Sequence, residues 1–256
     1  MSKRDSRLRS LAALAGALLL AACGGGGHDT AGIEGSGITV AFTGNVVSSG
    51  QITGIGSIFV NGVEYTLDQA SIGVNGANGG ATDLVVGQVV TVNGKFGTTP
   101  DQAAASKVTY QADLVGPVGA VDAAHRQVTV LGQTVAIDDG QVPTLVDGSI
   151  TPASFAGLVV GSEIEVSGFA NSQGNLSARL IRARAAGTAY SVAGVVAHVD
   201  AARKTFTIRG QGVDYSGADL GAIAGGTPKD GDLVRAEGLR LDGAGTLLAT
   251  RVAPHV

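Results

Sequence analysis

Few side chains in this sequence have the type and spacing to do chemistry. The one thiol, Cys23, follows Leu20-Ala21-Ala22 and precedes the glycine run Gly24 to Gly27. A single cysteine cannot close an intramolecular disulfide, and a thiol just after two small residues and just before a glycine run fits poorly as a buried thiol of an N-terminal helix. Carboxylates gather at Asp122, Asp138-Asp139-Gly140, Asp200, Asp230/Asp232 and Asp242-Gly243. Acidic loop oxygens are ligands for calcium, which makes Asp138, Asp139, Asp230 and Asp232 the candidate cation-binding residues. Against that, no segment reproduces the Asp-x-Asp-x-Asp-Gly loop with its distal glutamate, and Asp-Gly is also what hairpin turns prefer. The four histidines, His28, His125, His198 and His255, form no His-x-x-x-His pair and read as turn or terminal residues rather than zinc ligands. Gly-x-Ser-x-Gly is absent, and Gly54-Ile-Gly56-Ser57 lies in a β pattern without a strand-to-helix elbow. No residue is therefore assigned a catalytic role.

The elements around these groups begin with an export-type leader. Lys3, Arg4, Arg7 and Arg9 form a basic head, Leu11 to Leu20 an apolar stretch, and small residues precede Cys23. An apolar core of about ten residues is too short to cross a bilayer as a permanent helix. This segment resembles the precursors of bacterial lipoproteins, whose Leu-Ala-Ala-Cys lipobox matches Leu20, Ala21, Ala22 and Cys23. The resemblance implies cleavage before Cys23, a thioether-linked diacylglycerol on its sulfur and acylation of the new amino group. It further implies attachment to a bacterial membrane, with Gly24 after the cysteine leaning towards the outer membrane facing the periplasm. No other cofactor is expected. Loss of residues 1–22 leaves 13 basic side chains against 20 acidic, a net charge near −7. An acidic body is repelled by phosphate backbones, so nucleic acid is not an expected partner. Residues 23–42, rich in glycine and without apolar period, read as the lipidated cysteine and a flexible tether.

Beyond the tether the chain repeats. Leu84-Val-Val-Gly-Gln-Val-Val-Thr-Val-Asn-Gly94 recurs as Leu158-Val-Val-Gly-Ser-Glu-Ile-Glu-Val-Ser-Gly168 and as Pro228-Lys-Asp-Gly-Asp-Leu-Val-Arg-Ala-Glu-Gly238. Glycines 87, 161 and 231 are separated by 74 and 70 residues, as are glycines 94, 168 and 238, which defines three units. Apolar residues alternate within each unit, so Val90/Val92, Ile164/Val166 and Val234/Ala236 should point inward while Thr91, Glu165 and Arg235 face water. From Ala105 to Val108, Ala178 to Ile181 and Ala249 to Val252 the alternation skips one residue, which predicts a β-bulge at the same place three times. Each unit reads as five short strands curled into a small OB-like barrel. Pro152 to Gly157 has room for one helical turn, and no longer amphipathic helix is expected. Phe59, Tyr65, Phe206 and Tyr215 suit core or edge positions, whereas Phe169 and Tyr190 fall near the joins between units and read as interface residues.

Four strings carry a second resemblance: Thr53-Gly-Ile-Gly-Ser-Ile-Phe-Val-Asn-Gly62, Val128-Thr-Val-Leu-Gly-Gln-Thr-Val135, Val195-Val-Ala-His-Val-Asp-Ala-Ala-Arg-Lys-Thr-Phe206 and Gly245-Thr-Leu-Leu-Ala-Thr-Arg-Val252. With the lipobox and tether they resemble bacterial envelope proteins built from domain of unknown function number 5666. That family brings no activity and no catalytic residues to carry over. The expectation is an all-β protein with a signal peptide at 1–22, a tether at 23–42 and barrels at 43–112, 113–186 and 187–256. It is read as a lipid-anchored, non-catalytic binding or scaffolding protein of the cell envelope, with an envelope protein or small molecule as partner. The alternative is a periplasmic accessory protein that holds a small ligand or cation at acidic turns between repeats.

Overall fold

The computed structural model describes residues 44–97, 99–171 and 175–255. The leader, Cys23 and the tether lie outside the described residues. What is described is all-β in three tandem barrels, and none of the described helices is long and apolar enough to cross a membrane.

The first barrel contains β1 (Asn45–Gly54), β2 (Ile58–Val60), β3 (Val63–Thr66), β4 (Ser71–Val74), β5 (Ala77–Gly79), β6 (Val89–Phe96) and β7 (Gln102–Tyr110). Five of these close a ring in the order β1-β2-β3-β7-β6, with β3 parallel to β7 and the other pairs antiparallel. The hairpin β4–β5 extends the sheet beside the second half of β7. The second barrel repeats the ring with β8 (Leu114–Asp122), β9 (Gln127–Val130), β10 (Gln133–Ala136), β12 (Glu163–Ala170) and β13 (Leu176–Ala183), and β11 (Leu145–Val146) takes the place of β4. The third is β14 (Tyr190–Asp200), β15 (Thr205–Ile208), β16 (Gln211–Asp214), β17 (Leu233–Leu241) and β18 (Leu247–Pro254). The helical turn expected near Pro152 is a single 3-10 turn at Phe155–Gly157.

The repeated glycines explain why one closure serves three sequences. Gly87, Gly161 and Gly231 all have φ near +90°, a region that L side chains avoid. Their N–H groups donate to the carbonyls of Ile52, Val118 and Val196 at 2.8–2.9 Å, and the same three residues donate back to the carbonyls of Gln88, Ser162 and Asp232. Each pair of bonds ties the bend of a first strand to the start of a fourth. The three expected bulges are present: the register slips by one residue at Ser106, Arg179 and Thr250, opposite Gly94, Gly168 and Gly238. The extra residue drives the bulged strand's backbone into space that a side chain would otherwise fill. A Cβ on Gly94, Gly168 or Gly238 would lie 2.6, 2.2 or 2.3 Å from a carbonyl oxygen of that strand. Glycine and bulge are thus a single device for sharp strand curvature.

The barrels are not independent beads. Barrels 2 and 3 share one apolar core running from Leu114 and Val166 to Phe206 and Val252, whereas barrel 1 has its own. Strands β8 and β14 pair antiparallel through Leu114↔Val192, which occupy the same position of their repeats, so the two barrels meet about a local two-fold axis. Phe206 stacks on Tyr215 inside barrel 3 at 5.6 Å, and Tyr65 is buried in barrel 1. Phe59 stays partly exposed on the sheet.

One expectation fails at the joins. Glu165 and Arg235, which alternation places on the water-facing side, are only 2% and 5% exposed. They do leave the barrel interior, but the outer face of each barrel there is covered by the neighbouring module. Glu165 accepts from the Tyr110 hydroxyl at 2.6 Å and from Asn75 at 3.3 Å, both in barrel 1, and pairs with Arg184 at 3.3 Å. Arg235 donates to the Ala112 carbonyl in the linker between barrels 1 and 2, to Ser191 Oγ at 2.9 Å and to Glu237 Oε1 at 2.8 Å. Burial, reinforced by the Glu165 carboxylate, holds the Tyr110 phenol far above its usual pKa, so it remains an O–H donor.

Candidate functional site

A cleft of about 220 Å³ opens where the three modules meet. Its first wall is the outer face of barrel 1, where Ser49, Thr91 and Thr109 stand side by side on β1, β6 and β7 in the registers Ser49↔Thr91 and Thr91↔Thr109. Alternation makes this row of hydroxyls: the inward positions are filled by Val90, Val92 and Val108, leaving threonine outside. Opposite lie Gly168, Phe169 and Ala170 at the end of β12. Arg179, the bulge residue of barrel 2, lies 6.0 Å from the Phe169 ring centroid and steadies that wall. Gln111 and Asp113 come from the linker after β7, and His255 follows β18.

Gln111 and His255 are repeat equivalents, each three residues beyond the bulge valine (Val108 and Val252), and the packing of barrels 1 and 3 around barrel 2 brings them to one place. Gln111 Oε1 and His255 Nδ1 are buried without a hydrogen-bond partner among the described residues. Asp113 is held more firmly. Its Oδ2 accepts the Gly168 N–H at 2.9 Å, its N–H donates to Val166 and its carbonyl accepts from Ala193. Val89 N–H donates to Ser167 Oγ at 2.8 Å and closes the seam beside the cleft.

Burial pushes the Asp113 carboxyl up to about 6, against the Gly168 N–H and the Arg235 and Arg209 guanidiniums that pull it down. Burial, reinforced by the same two arginines, holds the His255 imidazole below its ordinary range. The native state thus keeps on Asp113 a proton that the unfolded chain releases near pH 4, so this group costs stability as the pH rises from about 4 through 6. His255 acts oppositely, since the unfolded imidazole gains a proton below about pH 6.5 that the native state resists, and its contribution is lost on acidification. Asp113→Asn is expected to raise stability above pH 6 by on the order of 1–2 kcal/mol, leaving a profile that rises with pH. His255→Gln is expected to leave one that falls with pH. Urea melts across pH 4 to 7, at about half-unit steps, read this out, and identical profiles for both variants and the parent would refute it.

The residues singled out from sequence are placed differently. Leu20, Ala21, Ala22 and Cys23 lie outside the described residues. Asp138 Oδ1 accepts Gly140 N–H at 2.8 Å, and Asp139 pairs with Arg126 at 3.0 Å. Asp230 accepts Val199 N–H at 3.0 Å and Asp232 accepts Lys229 N–H at 2.8 Å. These carboxylates close turns in two different barrels, and among the described residues no three His, Cys, Asp or Glu side chains converge as a metal-holding group. His125 pairs with Asp122 at 2.7 Å in an exposed turn, and His198 meets Thr207 at 3.0 Å. Tyr190 bonds to Glu163 across the joint between barrels 2 and 3 at 3.1 Å, while Phe169 lines the cleft. Gln111, Asp113 and His255 were not legible as a group, because each is isolated in sequence. The one local sign was that all three stand at the ends of repeats.

Fold and cleft together define an all-β array of three barrels with a polar recess at their common junction. The chain belongs to the family described as domain of unknown function (DUF5666), which matches it three times in tandem at residues 36–108, 115–182 and 193–253. No curated protein matches the sequence.

Proposed function

We propose that this is an exported, lipid-anchored binding or scaffolding protein of the bacterial envelope, without catalysis of its own. The observation that carries the reading is the junction itself. Buried Glu165 and Arg235 couple three barrels into one body, which presents a fixed surface rather than a string of loose modules. Leu20 to Cys23 supply the anchor, since two or three acyl chains at about 0.8 kcal/mol per buried methylene hold a protein at a membrane. The barrels are read as OB-like because five strands close with one parallel pair and long connections before the fourth strand. In the cell, the membrane through Cys23 and a partner in the periplasm, on the outer-membrane side, complete the assignment.

Cys23→Ser tests the anchor. The parent protein is expected in the detergent phase of an envelope extract, with an intact mass that lacks residues 1–22 and carries acyl chains. The variant is expected in the aqueous phase without that added mass. A parent that keeps Met1 and an unmodified Cys23 would sink the anchor.

The small-ligand reading draws support from one specific feature, the convergence of Gln111, Asp113 and His255 on the cleft. On this second reading the ligand sits at the three-way junction rather than at the acidic turns.

A further inference from the structure

The cleft is lined by polar side chains from all three modules, Thr91, Gln111, Asp113 and His255 among them. Gln111 Oε1 and His255 Nδ1 themselves are sealed from solvent and unpartnered among the described residues, so a ligand meets these two side chains through their remaining atoms. Facing them is the row Ser49, Thr91 and Thr109, whose hydroxyls both donate and accept, and the Asp113 carboxylate, fixed by the Gly168 N–H. Phe169 adds an apolar face.

Charge narrows the ligand. Burial first, and then Arg235 and Arg209, disfavour a positive charge on His255, and the same surroundings disfavour a bound cation. Asp113, on the cleft wall, opposes an anion. Size narrows it again, because a cleft of about 220 Å³ suits a compact ligand such as one sugar ring. A ring with several hydroxyls and a C–H face matches a ladder of hydroxyls, a carboxylate, a carboxamide and an aromatic wall.

We propose that the junction cleft binds a single neutral sugar ring or a polyol of that size, with Thr91, Gln111, Asp113 and His255 as its hydrogen-bond partners and Phe169 against its C–H face. This rests on the binding reading above and names its ligand class. The site spans all three modules, so the bound ligand also bridges the repeats.

The test is a calorimetric and ligand-observed NMR titration of the full-length protein in detergent with D-glucose, D-galactose and N-acetyl-D-glucosamine, and with calcium and inorganic phosphate as charged probes. Saturable binding of at least one sugar is expected with a Kd on the order of 1 mM, the range a ligand of a dozen heavy atoms reaches. Thr91→Val is expected to weaken it about 5-fold and Asp113→Asn about 10-fold, with melting curves showing both variants folded. Absence of sugar binding at tens of millimolar, binding that both variants leave unchanged, or displacement of the sugar by calcium or phosphate overturns the proposal. The same samples, checked for unchanged sugar after prolonged incubation, separate the two claims: chemical conversion would sink the non-catalytic reading, whereas absent binding sinks only the ligand assignment.

Discussion

Replacing Arg235 by methionine is expected to destabilise the protein by about 3–5 kcal/mol, the range found when one member of a buried charged contact is removed. The guanidinium is almost fully buried and makes three directed contacts, to the Ala112 carbonyl, Ser191 Oγ and Glu237 Oε1. Methionine fills comparable volume but leaves the Ala112 carbonyl without this donor at a fully buried residue, and removes the partner of the Glu237 carboxylate, which is a quarter exposed. Lysine is not a rescue, because one ammonium cannot reproduce the planar fork that spans these acceptors. Ala112 lies in the linker between barrels 1 and 2 and Arg235 in barrel 3, so the variant also loosens the coupling of barrel 1 to the rest. Chemical denaturation followed by two probes, one in each core, is expected to show barrel 1 melting ahead of the fused pair. A loss below about 1 kcal/mol, or coincident transitions, would show that the contact is dispensable.

Gly168→Ala is the second large effect. The added methyl carbon would sit 2.2 Å from the Ser177 carbonyl oxygen and 3.0 Å from Ala178 Cα, all of it backbone in the bulged strand β13. Backbone cannot rotate away as a side chain can. The strand pair must therefore open, at a cost of about 3 kcal/mol or more, as in other overpacked sites. Gly238→Ala, with a 2.3 Å approach to the Leu248 oxygen, is expected to cost a similar amount in barrel 3. Gly148→Ala and Gly217→Ala, whose surroundings are open, are the controls and should stay within about 0.5 kcal/mol of the parent in the same melts. Equal behaviour of all four variants would refute the bulge-and-glycine account of the barrel closure.

These two variants probe different kinds of information in the chain. Gly168 and the skipped residue from Ala178 to Ile181 both stand out as departures from strict alternation, and they recur at a fixed spacing. Hydrogen bonding across a strand pair is local, so a bulge leaves a local trace. Arg235 and Glu165 leave no such trace. On the sheet's outer face a charged residue in every other position is what solvent exposure produces, and alternation cannot distinguish an outer face that meets water from one that meets another barrel.

The candidate site lies wholly on the second side of that division. Asp113 belongs to no motif, His255 reads as a terminal histidine and Thr91 as an outward threonine. Conversely, the acidic turns that do stand out, Asp138, Asp139, Asp230 and Asp232, use their carboxylates on backbone amides and arginines of their own barrel. A conspicuous cluster in sequence is here a consequence of turn formation, and an inconspicuous set becomes a cleft.

Alternation, glycine spacing and the thrice-skipped residue were sufficient to specify three barrels of five ring strands, because strand direction, pleat and curvature depend on neighbours within one unit. Which outer faces are buried, why barrels 2 and 3 share a core while barrel 1 keeps its own, and how Gln111, Asp113 and His255 come together depend on docking between units. Docking is set by shape and charge matched across surfaces some 70 residues apart in the chain, and only the folded arrangement brings those surfaces into contact.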